Sequence, residues 1–150
     1  MGRYIWLMHD HELPPDVPTC HLFVYGTLRS NQPNAPRLGG STPLGWAATQ
    51  GQLVDLGDYP GLVHGEGRVV GELFLIPTAA LDRIDDLEGF DPTDPEGSLF
   101  VREMREVELP GKAVFQAWMY RWPGTGKAII PSGDWVRHLQ ERETPQPMWL

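Results

Sequence analysis

Apolar residues recur along the chain in short runs bounded by glycine and proline, a pattern typical of β-strands joined by turns. The polar stretches 29–45 and 57–61, each broken by proline and glycine, are predicted as a loop and a turn. Gly71 lies inside an apolar run and predicts a β-bulge there. Pro110 and Gly111 form a turn signal between two runs, so we expect those two strands to pair as a hairpin. The predicted strands are residues 22–25, 52–56, 68–76, 100–109 and 113–122.

One segment, residues 78–88, carries a helical pattern. Thr78 is suited to cap the start of this helix, and Gly89 stands where a helix ends. A second, short helix is predicted at residues 134–142. In the first helix, the apolar stripe that should face the core recurs at every third position: Leu81, Ile84 and Leu87.

The acidic residues of the first helix are expected to face different directions. With successive residues about 100° apart, Asp82 and Asp86 lie roughly 160° from the centre of the apolar stripe and face solvent. Asp85 lies about 100° from the centre, on the flank, whereas Glu88 lies only about 40° from it. We therefore expect Glu88 to be the one acid of the four that faces the core.

A carboxylate at position 88 is in unfavourable surroundings. An apolar face disfavours its charged form through desolvation, and the C-terminus of a helix disfavours negative charge. Both effects raise the pKa of a carboxyl group toward the range that a general base needs near neutral pH. The alternative is a helix that frays before Glu88 and leaves this side chain in water.

Composition narrows the class of protein. The 150 residues suit a single domain, with a proline-containing extension at residues 1–20 and a folded domain at residues 21–150. The 12 basic and 20 acidic residues give a net charge of −8, which weighs against nucleic acid or an anionic membrane as a partner. No apolar run approaches the roughly 18 residues of a membrane span. We expect a cytoplasmic protein, in which the single cysteine, Cys20, has no partner for an internal disulfide.

Motifs for phosphate or metal binding are incomplete. The segment 124–127 has the sequence that ends a phosphate-binding loop, but Arg121 stands where that loop needs its first glycine and Ala128 where it needs serine or threonine. His9 and His11 have no companion cluster of metal ligands in the sequence. We therefore expect no metal and no other cofactor.

Several segments resemble the gamma-glutamyl cyclotransferase family, which includes the gamma-glutamylamine cyclotransferases. The strand that ends in Tyr25-Gly26-Thr27-Leu28 resembles the signature loop of this family. Residues 57–62 and 70–74 resemble its central turn and the strand that follows, and residues 81–90 resemble the helix that carries its catalytic glutamate. Phe100-Val101-Arg102 stands where the family commonly has Tyr-x-Arg, so one hydroxyl group is missing here.

The resemblance implies an α+β fold built on a small mixed, largely antiparallel β-barrel with a few short helices. It also implies a cofactor-independent enzyme of the transferase or lyase type. In this reaction the α-amine of a gamma-glutamyl amine or peptide attacks its own γ-carbonyl and releases 5-oxoproline and a free amine. The resemblance assigns Glu88 as the catalytic acid–base residue, and it assigns a substrate-binding role to Tyr25, Gly26, Thr27 and Leu28.

Two other functions stay open at this point. One is a non-catalytic protein that keeps the pocket to bind an amino-acid-like ligand, and the other is an unrelated β-rich interaction module. Glu88 beside an intact Tyr-Gly-Thr-Leu loop favours the enzyme, because a binding protein does not need a desolvated acid. The residues do not identify the leaving amine, although the loops 29–45 and 90–98 are placed to select it.

Overall fold

The computed structural model describes residues 16–111 and 113–143. Most of the predicted extension, including His9 and His11, lies outside these residues, and Thr19 and Cys20 already belong to the first strand. The elements, in chain order, are β1 (Thr19–Val24), β2 (Thr42–Asp55), β3 (Pro60–Pro77), α1 (Leu81–Glu88), β4 (Val101–Glu108), β5 (Val114–Arg121), β6 (Ile129–Ile130) and α2 (Trp135–Glu143). Short 3-10 turns lie at Ala35–Leu38, Thr78–Ala80 and Pro95–Gly97.

Five of the strands close into a barrel. β1 pairs with β3, β3 with β2, β2 with β4 and β4 with β5, all antiparallel. β1 and β5 complete the ring through a parallel pairing of Leu22 with Trp118, and the short β6 pairs antiparallel with the last residues of β2. The predicted mixed, largely antiparallel barrel with short helices is therefore confirmed. The predicted hairpin of the last two long strands is confirmed as β4 and β5.

Two strands are longer than the sequence pattern predicts. β2 begins at Thr42, inside the predicted loop, and β3 begins at Pro60, eight residues before the predicted start. The added part of β2 mixes exposed residues with the buried residues 47–49, and the added part of β3 runs from the buried residues 60–62 into the mostly exposed residues 64–67. No regular alternation of apolar residues marks either part. They are strands because β2 and β3 pair with each other along most of their length.

The predicted bulge at Gly71 is wrong, because Gly71 pairs in regular register with Ala47. The irregularities of the β2–β3 ladder lie instead between Pro43 and Gly45 and between Gln50 and Gln52. A Cβ atom at position 71 would lie 2.2 Å from the carbonyl oxygen of Val24. The glycine is therefore required by the close approach of the β1 backbone.

The first helix differs from its prediction mainly at its start. Residues 78–80 form a 3-10 turn with Pro77 at its N-cap, and the α-helix that follows has Ala80 at its N-cap, so the predicted N-cap at Thr78 is wrong. The end is as predicted: Gly89 has a left-handed backbone with φ of 68° and closes the helix. Leu81 and Ile84 are buried against the outside of the barrel.

Two apolar clusters hold this arrangement together. One fills the barrel and includes Phe23, Leu73 and Trp135 at the start of α2. The other lies between the barrel and α1, where Ile84 packs with Leu22 and Phe100. The second cluster fixes the end of α1 beside the loop that follows β1. No helix among residues 16–111 and 113–143 is long and apolar enough to cross a membrane.

Candidate active site

A cavity of about 200 Å³ opens where β1 ends. The turn Tyr25–Leu28 lines one side of it, and Leu87 and Glu88 at the end of α1 line another. The structure thus brings together all five residues that the sequence singled out. Its remaining walls come from the ends of β1, β3 and β5 and from nearby loops: Phe23, Val24, Asn34, Tyr59, Pro60, Leu99, Phe100 and Tyr120.

Tyr25 anchors the turn through its hydroxyl group. This hydroxyl donates a hydrogen bond of 2.6 Å to the carbonyl oxygen of Tyr120 and accepts one of 3.1 Å from the backbone N–H of Leu62. Burial, and after it the nearby charge of Glu88, raises the pKa of Tyr25. The phenol is therefore neutral at physiological pH and holds the turn against β5 and β3.

The backbone of the turn offers unpaired hydrogen-bond donors. The carbonyl oxygen of Gly26 accepts from the N–H of Arg29 at 3.0 Å, and Asn34 bonds Thr27 through both its backbone N–H and its side chain. No described residue accepts a hydrogen bond from the N–H groups of Gly26, Thr27 or Leu28. Three donors in one turn suit an anionic or developing oxyanionic group of a bound molecule.

Gly26 is required by its contact with Pro60. A Cβ atom on residue 26 would lie 2.8 Å from Cγ and 2.9 Å from Cδ of Pro60, closer than real Cβ contacts. Pro60 is itself a wall of the cavity. Any side chain at position 26 must therefore displace either the turn or this wall.

Glu88 is the last residue of α1 and is partly buried at the cavity. The helix extends through it, so the alternative of a frayed end is wrong. Its carboxyl group makes no hydrogen bond or ion pair with a described residue, and burial raises its pKa from 4.5 to about 7. A carboxyl group with this pKa can both accept and return a proton near neutral pH.

Asp85 contradicts the prediction that only one acid of α1 faces the core. The residue is 4% exposed, and its carboxylate accepts hydrogen bonds from Arg102 and from the hydroxyl of Tyr120. The helical phase placed Asp85 on a flank, but α1 also contacts polar partners on β4 and β5 along that flank. Asp82 and Asp86 are exposed, as predicted.

Phe100 forms part of the cavity wall in place of the tyrosine that the family commonly has. It is 3% exposed, and its ring centroid lies 5.9 Å from that of Tyr59. Sequence reasoning gave Leu99 and Tyr120 no role in the site, because no local signal marks them, and it included Asn34 only as part of the loop 29–45 that was expected to select the leaving amine. Tyr59 and Pro60 lie in a turn that the resemblance had marked.

Comparison with known proteins identifies the family. The family described as "Gamma-glutamyl cyclotransferase, AIG2-like" matches residues 22–137, which include both the turn and the helix of the cavity. The chain belongs to this family. The predicted resemblance is therefore confirmed, and the family supports a cyclotransferase-type activity acting on a gamma-glutamyl small molecule.

Relatives of known sequence agree with this family. The chain is 36% identical over 118 residues to the gamma-glutamylcyclotransferase family protein YtfP of Escherichia coli K12, covering 77% of this chain and 95% of YtfP. It is also 36% identical over 120 residues to the gamma-L-glutamyl-butirosin B gamma-glutamyl cyclotransferase of Niallia circulans, covering 79% of this chain and 76% of that enzyme.

Solved structures share the fold. The solution structure of ytfP from Escherichia coli matches with a TM-score of 0.57 and 34% identity, over 79% of this chain and 97% of that one. YkqA from Bacillus subtilis matches with a TM-score of 0.71 and 26% identity over 87% of this chain, which spans 44% of YkqA. A mouse AIG2-like protein matches with a TM-score of 0.58 and 26% identity, over 72% of this chain and 80% of that one.

Proposed function

We propose that this protein cyclises a gamma-glutamyl amine or peptide and releases 5-oxoproline and a free amine. The observation that supports this most is the placement of Glu88. Its carboxyl group, with a pKa of about 7 and no partner among the described residues, shares a cavity with the unpaired N–H groups of Gly26, Thr27 and Leu28. One proton-exchanging group facing several fixed donors suits an intramolecular acyl transfer.

The proposed reaction uses one carboxyl group twice. The carboxylate of Glu88 takes a proton from the α-ammonium of the substrate, and the freed amine attacks the γ-carbonyl carbon. A carbon–nitrogen bond forms, and the carbonyl oxygen becomes an oxyanion. The carboxyl group of Glu88 then returns the proton to the leaving nitrogen, the oxyanion collapses, and the original amide bond breaks. The ring nitrogen still carries one proton too many, and the released amine takes this proton and leaves as an ammonium ion. The products are 5-oxoproline and the protonated amine, and Glu88 is again a carboxylate.

The turn has the proposed role of holding the gamma-glutamyl group in a folded shape. Intramolecular attack gains most of its rate from orientation, so the substrate must be bent back on itself before it reacts. N–H groups of residues 26–28 can bind the α-carboxylate or the oxyanion, while Tyr25 keeps the turn fixed on β5. Backbone donors held in this way need little reorganisation as charge develops.

The experiment is to incubate the purified protein with a panel of gamma-glutamyl amines and gamma-glutamyl amino acids and to measure 5-oxoproline and released amine. Glu88→Gln keeps the size of the side chain and removes its proton exchange, so we expect turnover to fall by about 10²–10⁴-fold. Asp86→Asn is the matched control, because it changes an exposed acid of the same helix, and we expect near-parental turnover.

Two results would contradict the proposal. Near-parental turnover by a well-folded Glu88→Gln protein would remove Glu88 from the reaction. Binding of gamma-glutamyl compounds without release of 5-oxoproline would instead favour a non-catalytic binding protein on the same fold.

A further inference from the structure

An ion pair between the buried Asp85 and the largely buried Arg102 lies one helical turn before Glu88. The carboxylate of Asp85 accepts 2.9 Å and 3.2 Å hydrogen bonds from Nε and Nη2 of Arg102, a two-point contact between α1 and β4. The guanidinium of Arg102 also lies 4.6 Å from the ring centroid of Trp118 and 5.6 Å from that of Phe90. The pair is therefore held on several sides.

Folding stability alone does not explain why this ion pair is present. Burying two charges costs hydration free energy that their mutual attraction offsets only in part, and well-packed apolar residues in the same place often stabilise a protein equally well. Asp82 and Asp86 on the same helix remain exposed and make no such contact. The buried pair therefore points to a role that apolar packing at position 85 would not supply.

Tyr120 connects this pair to the cavity. Its hydroxyl donates a 2.6 Å hydrogen bond to Oδ1 of Asp85, and its side chain lines the cavity together with Glu88. The backbone carbonyl of the same residue accepts the 2.6 Å hydrogen bond from Tyr25 that holds the turn. One residue of β5 therefore contacts both the helix that carries Glu88 and the turn that faces it.

We propose that Asp85, Arg102 and Tyr120 form a positioning network that fixes the carboxyl group of Glu88 relative to the turn Tyr25–Leu28. This inference rests on the proposed function, since it assigns the network to the reaction of Glu88. Asp85 and Arg102 act through α1 and Tyr120, and the reaction needs no contact between them and the substrate. A misplacement of reacting groups by about 1 Å can cost about 10²-fold in rate, so rigid support of Glu88 matters.

The charges of the network make its coupling to Glu88 measurable. Side chains three apart on a helix have Cβ atoms about 5–6 Å apart, so Asp85 lies near Glu88. Arg102 balances the charge of Asp85, and the other titratable groups that line the cavity are the tyrosines Tyr25, Tyr59 and Tyr120. Removal of one partner would leave Glu88 near an unbalanced charge of known sign.

The first test measures the pKa of the Glu88 carboxyl group by NMR titration without substrate. Asp85→Asn leaves the cation of Arg102 unbalanced and should lower this pKa, whereas Arg102→Met leaves an unbalanced carboxylate and should raise it. At an effective dielectric constant of about 20, we expect shifts of about half to one pH unit. The double variant Asp85→Asn/Arg102→Met removes both charges and should return the pKa to its parental value.

The second test measures kcat and KM on the best substrate of the panel. Tyr120→Phe keeps the ion pair but breaks its link to the cavity, and we expect kcat to fall about 10–100-fold with little change in KM. Asp86→Asn is the control in both tests and should change neither the pKa of Glu88 nor kcat.

The outcomes separate this inference from the proposed function. If the pKa of Glu88 shifts in opposite directions in Asp85→Asn and Arg102→Met, and kcat falls in Tyr120→Phe, the network is supported.

Shifts in pKa of the same sign in the two charge variants, or no shift in either folded variant, would overturn the inference. Parental kcat in Tyr120→Phe would overturn it as well. If either Asp85→Asn or Arg102→Met does not fold, the sign of the pKa shift in the other variant and the kcat of Tyr120→Phe still decide. If the parent releases no 5-oxoproline, the proposed function fails, while the titration still decides whether Asp85 and Arg102 act on Glu88.

Discussion

Glu88 and Asp85 are acids one helical turn apart that have opposite surroundings. Asp85 is fully paired with Arg102 and Tyr120, whereas Glu88 makes no hydrogen bond or ion pair with a described residue. Burial without a partner favours the protonated form, which is the cause of the raised pKa of Glu88. Of the two, only Glu88 is free to exchange a proton with a molecule in the cavity.

The inward direction of Glu88 was predictable from the pattern of its own helix, but the burial of Asp85 was not. Helical phase needs only the spacing of Leu81, Ile84 and Leu87, and it placed Glu88 correctly. Asp85 is buried by Arg102, 17 residues later in the chain, and by Tyr120, 35 residues later. The helical phase was calculated from one apolar stripe and takes no account of the second surface of α1, which contacts β4 and β5. It therefore gave the wrong exposure for Asp85.

Gly26→Ala adds one methyl group to the turn Tyr25–Leu28 and tests whether the shape of this turn controls substrate binding. The added Cβ would lie 2.8 Å from Cγ of Pro60, so the turn must move away from its position. We expect KM to rise about tenfold, equivalent to about 1.4 kcal/mol of lost binding, with a smaller change in kcat. The double variant Gly26→Ala/Pro60→Ala removes the clash and should recover part of the affinity. Parental KM in folded Gly26→Ala protein would show that the turn does not control binding.

At the scale of elements, the ends of helices and the turns of hairpins were predictable from the sequence. The limits and the register of strands that depend on pairing with another strand were not. Gly89 marks the end of α1, and Pro110 with Gly111 marks the β4–β5 turn, because the required backbone conformations are local. The start of β2 at Thr42 and the regular pairing of Gly71 depend on neighbouring strands. An isolated pattern of apolar residues carries no information about those partners.

Gly89→Ala tests whether the end of α1 controls the site. Gly89 and Gly111 both have left-handed backbones, with φ of 68° and 88°, and alanine there costs about 1–2 kcal/mol. A Cβ at position 89 would also lie 3.1 Å from Cβ of Leu99, while one at position 111 meets nothing within 4 Å. We expect both variants to lose similar stability in urea unfolding, and only Gly89→Ala to lose kcat, by about tenfold or more. Equal kcat in the two variants would contradict a link between this helix end and turnover.

At the scale of the whole molecule, barrel closure assembles the cavity from six separate segments. The end of β1 with its turn, Asn34 in the following loop, the start of β3, the end of α1, the residues before β4 and the end of β5 meet only once the barrel has closed. The resemblance assigned site residues to two of these, the Tyr-Gly-Thr-Leu turn and the helix with Glu88, and it marked residues 57–62 and 100–102 as family segments without a site role. Tyr120 could not be predicted, because no local pattern in its strand marks it for the cavity. Asn34 was predicted only as a member of the loop 29–45.

The pH dependence of folding stability provides a last prediction. Between pH 4.5 and about 7, Glu88 keeps a proton in the folded protein that it has lost in the unfolded chain. The unfolded state then binds fewer protons, so the free energy of unfolding falls as the pH rises through this window. Asp134 acts in the opposite sense: although burial alone would raise its pKa, hydrogen bonds from Arg29 and from backbone N–H groups hold that pKa below its ordinary value. Its contribution is therefore lost in acid, as the pH falls below about 4.

Glu88→Gln should remove the loss of stability above pH 4.5 and leave the loss in acid. We expect urea unfolding to show the variant more stable than the parent by about 1–3 kcal/mol at pH 8 and nearly equal to it at pH 4. Asp86→Asn, which removes an exposed acid from the same helix, should show no such divergence. A difference between parent and Glu88→Gln that stays constant from pH 4 to pH 8 would mean that Glu88 titrates alike in both states. In that case burial would not raise its pKa, and the carboxyl group would lack the protonation behaviour that the proposed reaction requires.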